Sequence, residues 1–192
     1  MMLLKRFSIC NDYTNCYVAA CLNTRQAVII DPGEWTSAVA DYIAANKLPV
    51  TCILLTHAHP DHAAGAAEAQ KLYNCKILLG KGESFSGENT EEIEEDDLIE
   101  IGDLQGFVIA TPGHTPGGVT LFIGDAVFTG DALFSGSVGG TDSREAFAEQ
   151  AHAIWTKVLT VGDQVSVNPG HGPRSTVGVE RLFNPFFDDF RT

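Results

Sequence analysis

The sequence is poor in basic residues: 12 lysines and arginines stand against 25 aspartates and glutamates, which gives a net charge of −13. Nucleic acids and anionic membranes are bound through clusters of basic side chains, so this charge balance argues against both as partners. No apolar run reaches the length of a membrane span. We therefore expect a protein that acts on a small molecule and binds neither nucleic acid nor a membrane.

Cysteines are also few, and they show no pairing pattern. The five cysteines include no C-x-x-C pair, and their odd number does not suggest a disulfide framework. Lys5 and Arg6 near the start are not followed by an apolar segment, so neither a signal peptide nor a lipidated cysteine is indicated. These features favour a cytoplasmic protein. Cys52 lies within an apolar run and is expected in the core.

What the chain does contain is a dense cluster of histidines, in the segment T-H-A-H-P-D-H at 56–62. The apolar residues 52–55 before it read as a buried strand, and Pro60 stops that strand from continuing. The turn therefore directs three imidazoles and one carboxylate into a small volume. Imidazole and carboxylate are the usual ligands of zinc and similar divalent ions. The segment predicts a metal site formed by His57, His59, Asp61 and His62.

The rest of the chain reads as alternating strands and helices in one domain, 1–192. An acidic segment at 81–97 is predicted to be a solvated loop. Asp142, with Glu145 three positions later, is predicted to begin a helix that ends near Leu159. The aromatic tail is expected either to pack on the core or to form an oligomer contact. The predicted strands are 16–22, 26–30, 52–55, 75–80, 98–101, 107–110, 119–123, 126–129 and 165–167, and the other predicted helices are 35–46, 63–74 and 176–183.

Four of the predicted strands end in a potential metal ligand. Strands that lie side by side in a sheet have their carboxyl ends along one edge, and the prolines and glycines there let the backbone turn. Five histidines and two aspartates thus meet at one rim, which is too many for one tetrahedral ion and suits two ions that share a carboxylate. The sixth histidine, His152, falls on a predicted helix and is not expected to bind metal. The seven expected ligands come from the segments 57–62, 113–114, 130–131 and 170–171.

These motifs resemble the metallo-β-lactamase fold superfamily, with the order and spacing of hydroxyacylglutathione hydrolase (glyoxalase II)-like proteins. The motifs are H-A-H-P-D-H, G-H-T-P-G at 113–117, Gly130-Asp131 and G-H-G at 170–172. The resemblance implies an αββα sandwich, an α/β fold in which two mixed sheets face each other and the metal site lies at one end. It implies that His57, His59 and His114 bind one ion, that Asp61, His62 and His171 bind a second, and that Asp131 bridges the two.

The chain departs from this family in two places. Glyoxalase II proper has a helical C-terminal domain that helps to hold glutathione, and the sequence after His171 has no counterpart of it. Many short relatives read G-R-T-D where this chain reads G-G-T-D at 139–142, so Gly140 replaces an arginine that would suit an anionic substrate. Arg144 and Arg174 are the candidates to take its place. We expect an open pocket with weak preference for glutathione.

The first functional hypothesis is a dinuclear metal-dependent hydrolase of thioesters such as acylglutathiones, or of related esters and lactones. A water between two divalent ions ionises near neutral pH, and the resulting hydroxide attacks a carbonyl carbon. Asp61 and Asp131 would be the catalytic carboxylates, since one orients that hydroxide and the other holds both ions. Zinc is the expected metal, with iron or manganese as alternatives.

Two further hypotheses stay open. In persulfide dioxygenase-like relatives a single Fe(II) is held by residues that match His57, His114 and Asp131, which is a facial triad with open positions. The third hypothesis is a non-catalytic module stabilised by metal. A degenerate ligand set would be its signature, whereas the set here is complete. The exact substrate and the oligomeric state do not follow from the sequence.

Overall fold

The computed structural model describes residues 1–11 and 13–191. Its 14 strands are β1 Met2–Ile9, β2 Thr14–Cys21, β3 Ala27–Ile30, β4 Val50–Leu55, β5 Lys76–Gly80, β6 Thr90–Ile93, β7 Leu98–Ile101, β8 Leu104–Ala110, β9 Val119–Ile123, β10 Ala126–Gly130, β11 Leu133–Phe134, β12 Ser137–Val138, β13 Ser166–Pro169 and β14 Ser175–Thr176. The α-helices are α1 Ser37–Ala45, α2 Pro60–Ala63, α3 Ala66–Tyr73, α4 Arg144–Ala153 and α5 Val177–Phe183. A π-helical turn, Ile154–Val158, continues α4, and a 3-10 helix, Pro185–Phe190, follows α5.

Two mixed sheets of six strands form the centre of the protein. The first sheet has the order β1-β2-β3-β4-β5-β6 and the second β14-β13-β10-β9-β8-β7, and β11 pairs with β12 in a separate hairpin. The predicted hairpin of β2 and β3 is antiparallel. The predicted β-α-β unit is also confirmed, because β4 and β5 pair in parallel across the connecting helices.

The apolar core forms three layers: one between the two sheets and one between each sheet and its covering helices. This arrangement is the predicted αββα sandwich. Between the sheets, Tyr17 packs edge-on against Phe128 with ring centroids 5.2 Å apart. Helices α1 and α3 cover the outer face of the first sheet through buried residues such as Val39 and Ala66. Helix α4 and the π-helical turn cover the second sheet, where Ile154 packs with its strand residues. Each helix buries one apolar stripe, as amphipathic patterning requires.

Three expectations about the strands are corrected. The segment Met2–Ile9 was not predicted to be structured but forms β1, an edge strand paired along its length with β2. The acidic segment 81–97 is not only loop, since its residues Thr90–Ile93 form β6, the opposite edge of the same sheet. The four ligand-bearing strands do not all lie in one sheet: β8, β10 and β13 belong to the second sheet and β4 to the first.

The helix boundaries follow the predictions with small shifts. Helix α4 begins one residue later than expected, because Ser143 rather than Asp142 is its N-cap and accepts a hydrogen bond from the Ala146 amide. Phe187 of the aromatic tail is buried against Trp155, so the tail packs on the core. All five cysteines are free, and Cys52 is buried as predicted. No helix in the described ranges combines the length and the apolar character needed to cross a bilayer.

Candidate active site

The seven candidate ligands come together at one end of the sandwich, each just after a strand. His57 and His59 follow β4, and His114 lies in the loop after β8. Asp61 and His62 lie on α2, the short helical turn that Pro60 begins. The pairing of β10 with β13 shifts register between Phe128 and Gly130, and Gly130 adopts φ +49°. Such a bulge redirects the chain and turns the next side chain, Asp131, into the site. His171 follows β13.

The first group of ligands consists of His57, His59 and His114. His57 Nε2 lies 3.1 Å from His59 Nδ1, and His114 Nε2 lies 3.0 Å from the same Nδ1. Three imidazole nitrogens therefore point at one small volume. His57 is buried, whereas the side chain of His114 is 19% exposed, so solvent can reach this group from the His114 side.

The second group consists of Asp61, His62 and His171. His62 Nε2 lies 3.3 Å from His171 Nε2, and Asp61 Oδ2 lies 3.5 and 3.3 Å from these two nitrogens. The Asp61 side chain is 44% exposed while His62 is fully buried, so this group also opens to solvent on one side. The three atoms converge as those of the first group do.

Asp131 lies between the two groups. Its Oδ1 is 3.3 Å from His62 Nε2, and its Oδ2 is 3.6 Å from His114 Nε2 and 3.3 Å from His171 Nε2. The carboxylate thus faces ligands of both groups at once. Gly170 makes room for it, since a Cβ at that position would lie 2.3 Å from Asp131 Oδ1 and 2.5 Å from His62 Cε1.

These distances fit divalent metal ions. Ligand atoms at roughly 2.0–2.1 Å from a tetrahedral ion are separated by about 3.3–3.4 Å, close to the spacing within both groups. Three imidazole nitrogens that face one another cannot all be satisfied by hydrogen bonds among themselves. In addition, Asp131 Oδ1 is buried and has no hydrogen-bond partner among the described residues. A buried carboxylate needs a cation beside it: without metal this is the protonated imidazole of His62, 3.3 Å from Oδ1, and a divalent ion would take its place.

The outer nitrogens of four histidines are held by the protein, which fixes their rings. His114 Nδ1 lies 2.7 Å from the Gly140 carbonyl and His171 Nδ1 lies 2.6 Å from the Tyr13 carbonyl. Both nitrogens therefore donate, which leaves each Nε2 with a lone pair for a metal. His57 Nδ1 contacts the Thr56 hydroxyl at 3.2 Å, and His62 Nδ1 contacts Asp31 Oδ2 at 3.1 Å.

Asp31 supports the site from behind His62, and the sequence pattern did not single it out. It is buried, and it accepts hydrogen bonds from the Thr56 amide at 2.8 Å and the Thr56 hydroxyl at 2.7 Å. Together with its contact to His62, this fixes the start of the ligand segment relative to β3. A signal was available, because an aspartate directly after the apolar run 27–30 is an unusual end for a buried strand.

Glu83 was also overlooked, because it lies in the acidic segment. Its Oε2 accepts a hydrogen bond from the Ala58 amide at 2.9 Å, and its Oε1 accepts one from the Gly117 amide at 3.0 Å. One carboxylate therefore joins the first ligand loop to the loop that carries His114. His152 is exposed on α4 and lies outside the groups, as predicted.

The electrostatics differ between the two groups in the absence of metal. Burial, reinforced by the neighbouring His62, lowers the pKa of His57 to about 2. Burial also acts to lower the pKa of His62, but the carboxylates of Asp131 and Asp31 outweigh it and raise that pKa to about 10. Burial alone would raise the pKa of Asp131, yet His171 and His62 hold it well below its usual range. The second group is therefore an ion-paired cluster, whereas His57 is neutral and ready to bind metal.

Comparison with known proteins agrees with this geometry. The chain matches the metallo-beta-lactamase superfamily over residues 11–174. It is 33% identical to the probable metallo-hydrolase YqgX of Bacillus subtilis, across 86% of this chain and 89% of that protein.

Two solved structures are similar over nearly the whole chain. The similarity to ETHE1 from Myxococcus xanthus covers 95% of this chain and 83% of the ETHE1 chain, with a TM-score of 0.87 and 27% identity. The similarity to TTHA1623 in a di-iron-bound form covers 95% of this chain and 99% of the TTHA1623 chain, with a TM-score of 0.78 and 28% identity. Fold, family match and ligand cluster agree, and the chain belongs to the metallo-β-lactamase superfamily.

Proposed function

We propose that this protein is a dinuclear metal-dependent hydrolase that cleaves thioesters, or related esters and lactones, of small molecules. The observation that carries the proposal is the Asp131 carboxylate, which faces His62 and His171 of one ligand group and His114 of the other. A single metal ion would leave one of two complete groups of three ligands without a role.

In this proposal His57, His59 and His114 hold one ion, Asp61, His62 and His171 hold the second, and Asp131 holds both. When bound, the two ions would polarise the substrate carbonyl, stabilise the leaving thiolate and lower the pKa of a water toward about 7. Asp31 keeps the His62 proton on Nδ1, so that Nε2 stays available as a ligand. Zinc is the expected metal, and the di-iron form of TTHA1623 makes iron the main alternative.

Asp61 has a second role as the group that orients the attacking water. The Thr14 hydroxyl lies 3.2 Å from its Oδ2, the same oxygen that faces His62 and His171. Its Oδ1 is the oxygen left to accept a proton from water at the exposed side of the site. In the overall reaction water adds to the acyl carbon, the carbon–sulfur bond breaks, and the proton passes to the thiolate to give an acid and a thiol.

The substrate class follows from charge and access. Two divalent ions against two aspartates leave a positive centre, which favours a substrate that develops an oxyanion. The exposed sides of Asp61 and His114 leave the site open, which suits a small-molecule ester better than a large partner. YqgX is described as a probable metallo-hydrolase, which supports hydrolysis as the reaction class.

The persulfide dioxygenase-like alternative uses His57, His114 and Asp131 with one Fe(II). It leaves Asp61, His62 and His171 without a function, although these three are as closely grouped as the first set. Position 140 is also glycine here, where those relatives have arginine. A Cβ at this position would have no atom within 4 Å, so the arginine is not missing for lack of space. The geometry therefore favours the hydrolase.

The test compares thioester hydrolysis with oxygen uptake on the same preparation. We expect thiol release from a simple thioester, its loss on chelation, and its recovery when zinc, iron or manganese is added back. Oxygen consumption with a glutathione persulfide, without thioester hydrolysis under any metal, would contradict the proposal. A protein that binds metal but does neither would favour the metal-stabilised module.

A further inference from the structure

An open groove of about 760 Å³ runs between the edge strands β1 and β14, beside the loop that carries His171. Met2 and Leu4 of β1 line one wall, and Arg174 and Thr176 line the other, with the hydroxyls of Ser135 and Ser175. Asp125 lines the groove too, in the turn between β9 and β10. This size is in the usual range for small-molecule sites.

Strand β1 carries the groove toward the metal ligands. Alternate residues of a strand point to the same face, so Arg6 continues the row of Met2 and Leu4. Arg6 Nη1 donates a hydrogen bond to the Gly172 carbonyl at 3.2 Å. Because Gly172 directly follows His171, Arg6 lies at the end of the groove that meets the site.

Arg174 stands at the same end, three residues after His171. It is exposed, and no carboxylate in residues 1–11 or 13–191 forms an ion pair with it or with Arg6. Burial raises the pKa of the Tyr17 hydroxyl above the usual range for tyrosine, and both guanidinium groups are close enough to act against that rise. The Tyr17 hydroxyl itself donates to the Pro169 carbonyl at 2.8 Å, at the base of the same loop. The two arginines therefore flank one point of the His171 loop.

We propose that Arg6 and Arg174 bind an anionic group, a carboxylate or a phosphate, on the thiol part of the substrate, and that the groove takes the rest of that arm. This inference rests on the proposed thioester hydrolysis. A protein of net charge −13 repels anions in general, so two cations that form no ion pair among residues 1–11 and 13–191 create a local exception at the site mouth. Guanidinium groups bind carboxylate and phosphate through paired hydrogen bonds, and nearby hydroxyls add further donors.

The position of Asp125 determines at which end of the groove the anionic group of the substrate is bound. Asp125 would repel an anion placed deep in the groove, while Arg174 attracts one at the mouth. Gly140, on the His114 side, has open space around it and no charge. The anion is therefore bound beside the second ligand group, not where relatives carry their arginine.

The test uses three thioesters with the same acyl group: one on a neutral thiol, one on glutathione and one on coenzyme A. We expect Arg174→Ala to lower kcat/KM about tenfold for one or both charged substrates, mainly through KM, and to leave the neutral substrate within about twofold. Arg174→Lys should retain most of the effect, and Arg174→Glu should enlarge the loss. Calorimetry with thioether analogues of the charged substrates should show the same order of affinities.

Lys71→Ala is the matched control, because it removes an exposed positive charge from α3 without touching the groove. It should leave all three substrates unchanged. Glutathione alone responding would identify a carboxylate ligand, and coenzyme A alone a phosphate ligand. Equal effects of Arg174→Ala on neutral and charged thioesters, or a loss only in Arg144→Ala, would overturn the inference. Absence of thioesterase activity in the unaltered protein would instead refute the proposed function.

Discussion

Asp31→Asn is the substitution that most directly separates the scaffold of the site from its ligands. Asparagine has nearly the shape of aspartate and also tolerates the positive φ of 52° found at position 31. If its oxygen stays with the Thr56 amide, its NH₂ group replaces the Oδ2 that faces His62 Nδ1. Two donors would then face each other. The neutral His62 that binds metal can relieve this only by carrying its proton on Nε2, the nitrogen that the metal needs.

The magnitude follows from the hydrogen bond between Asp31 and His62, which the substitution removes. One charge-assisted hydrogen bond in a buried site contributes about 1.5–3 kcal/mol, so the metal-free protein should become less stable by about that amount. Removing a partner that orients a histidine ligand typically lowers metal affinity about 10–100-fold. The decrease in affinity should fall on the group that contains His62. Thr56 contacts His57 only through its hydroxyl, so the first group should change less.

The assay is a chelator competition that resolves the two binding events, together with thermal unfolding of the metal-free protein. Asp41→Asn is the control, because Asp41 is exposed on α1 and the same charge is removed there. We expect it to alter neither quantity. If Asp31→Asn binds its weaker metal as tightly as the unaltered protein, Asp31 does not control the His62 tautomer and this reasoning is wrong.

Three further predictions concern the site itself. Asp131→Ala should lower metal occupancy and kcat together while circular dichroism stays unchanged, whereas His152→Ala should change none of these; two retained metals and most of the activity would show that Asp131 is not the bridge. Gly170→Ala should cost about 1–3 kcal/mol and weaken metal binding, because the new methyl group overlaps Asp131 Oδ1 and His62 Cε1; thermal unfolding and metal titration check this, and normal values would contradict it. His62, with a pKa of about 10, must lose a proton to bind metal while His57, with a pKa of about 2, need not. The hydrogen bond to Asp131 also raises the pKa of His171, which must lose its proton as well. Affinity of the second group should therefore fall by at least about tenfold for each unit of pH decrease below the pKa of His62, with matching proton release by calorimetry; a pH-independent affinity would contradict it.

The sequence predicted which seven side chains would lie together because their signal is local. A strand that ends in histidine, aspartate, proline or glycine can be read from a few residues, and the structure brings all seven candidates together. The helix predictions also rest on local patterns: Val39 and Ile43, four residues apart in α1, are both buried. In α3, Ala66 and Ala69 are buried, whereas Leu72, one turn further on near the end of the helix, is 59% exposed.

The features that were missed depend on contacts far apart in the chain. Strand β1 contains Lys5 and Arg6, which weaken its apolar pattern, and it becomes a strand by pairing with β2. Strand β6 carries Glu91 and Glu92, which suit an exposed edge but read as loop. The tie made by Glu83 spans 25 and 34 residues to its two partners, and no single segment reveals it.

A dinuclear site requires that each chain bind two metal ions through the seven side chains. The most direct measurement is elemental analysis of the protein after it has been saturated with zinc and passed through a desalting column, repeated on His171→Ala. We expect two ions per chain for the unaltered protein and about one for the variant, because His171 belongs only to the second ligand group. One ion per chain in both proteins would show that His62 and His171 are not ligands and would contradict the dinuclear site.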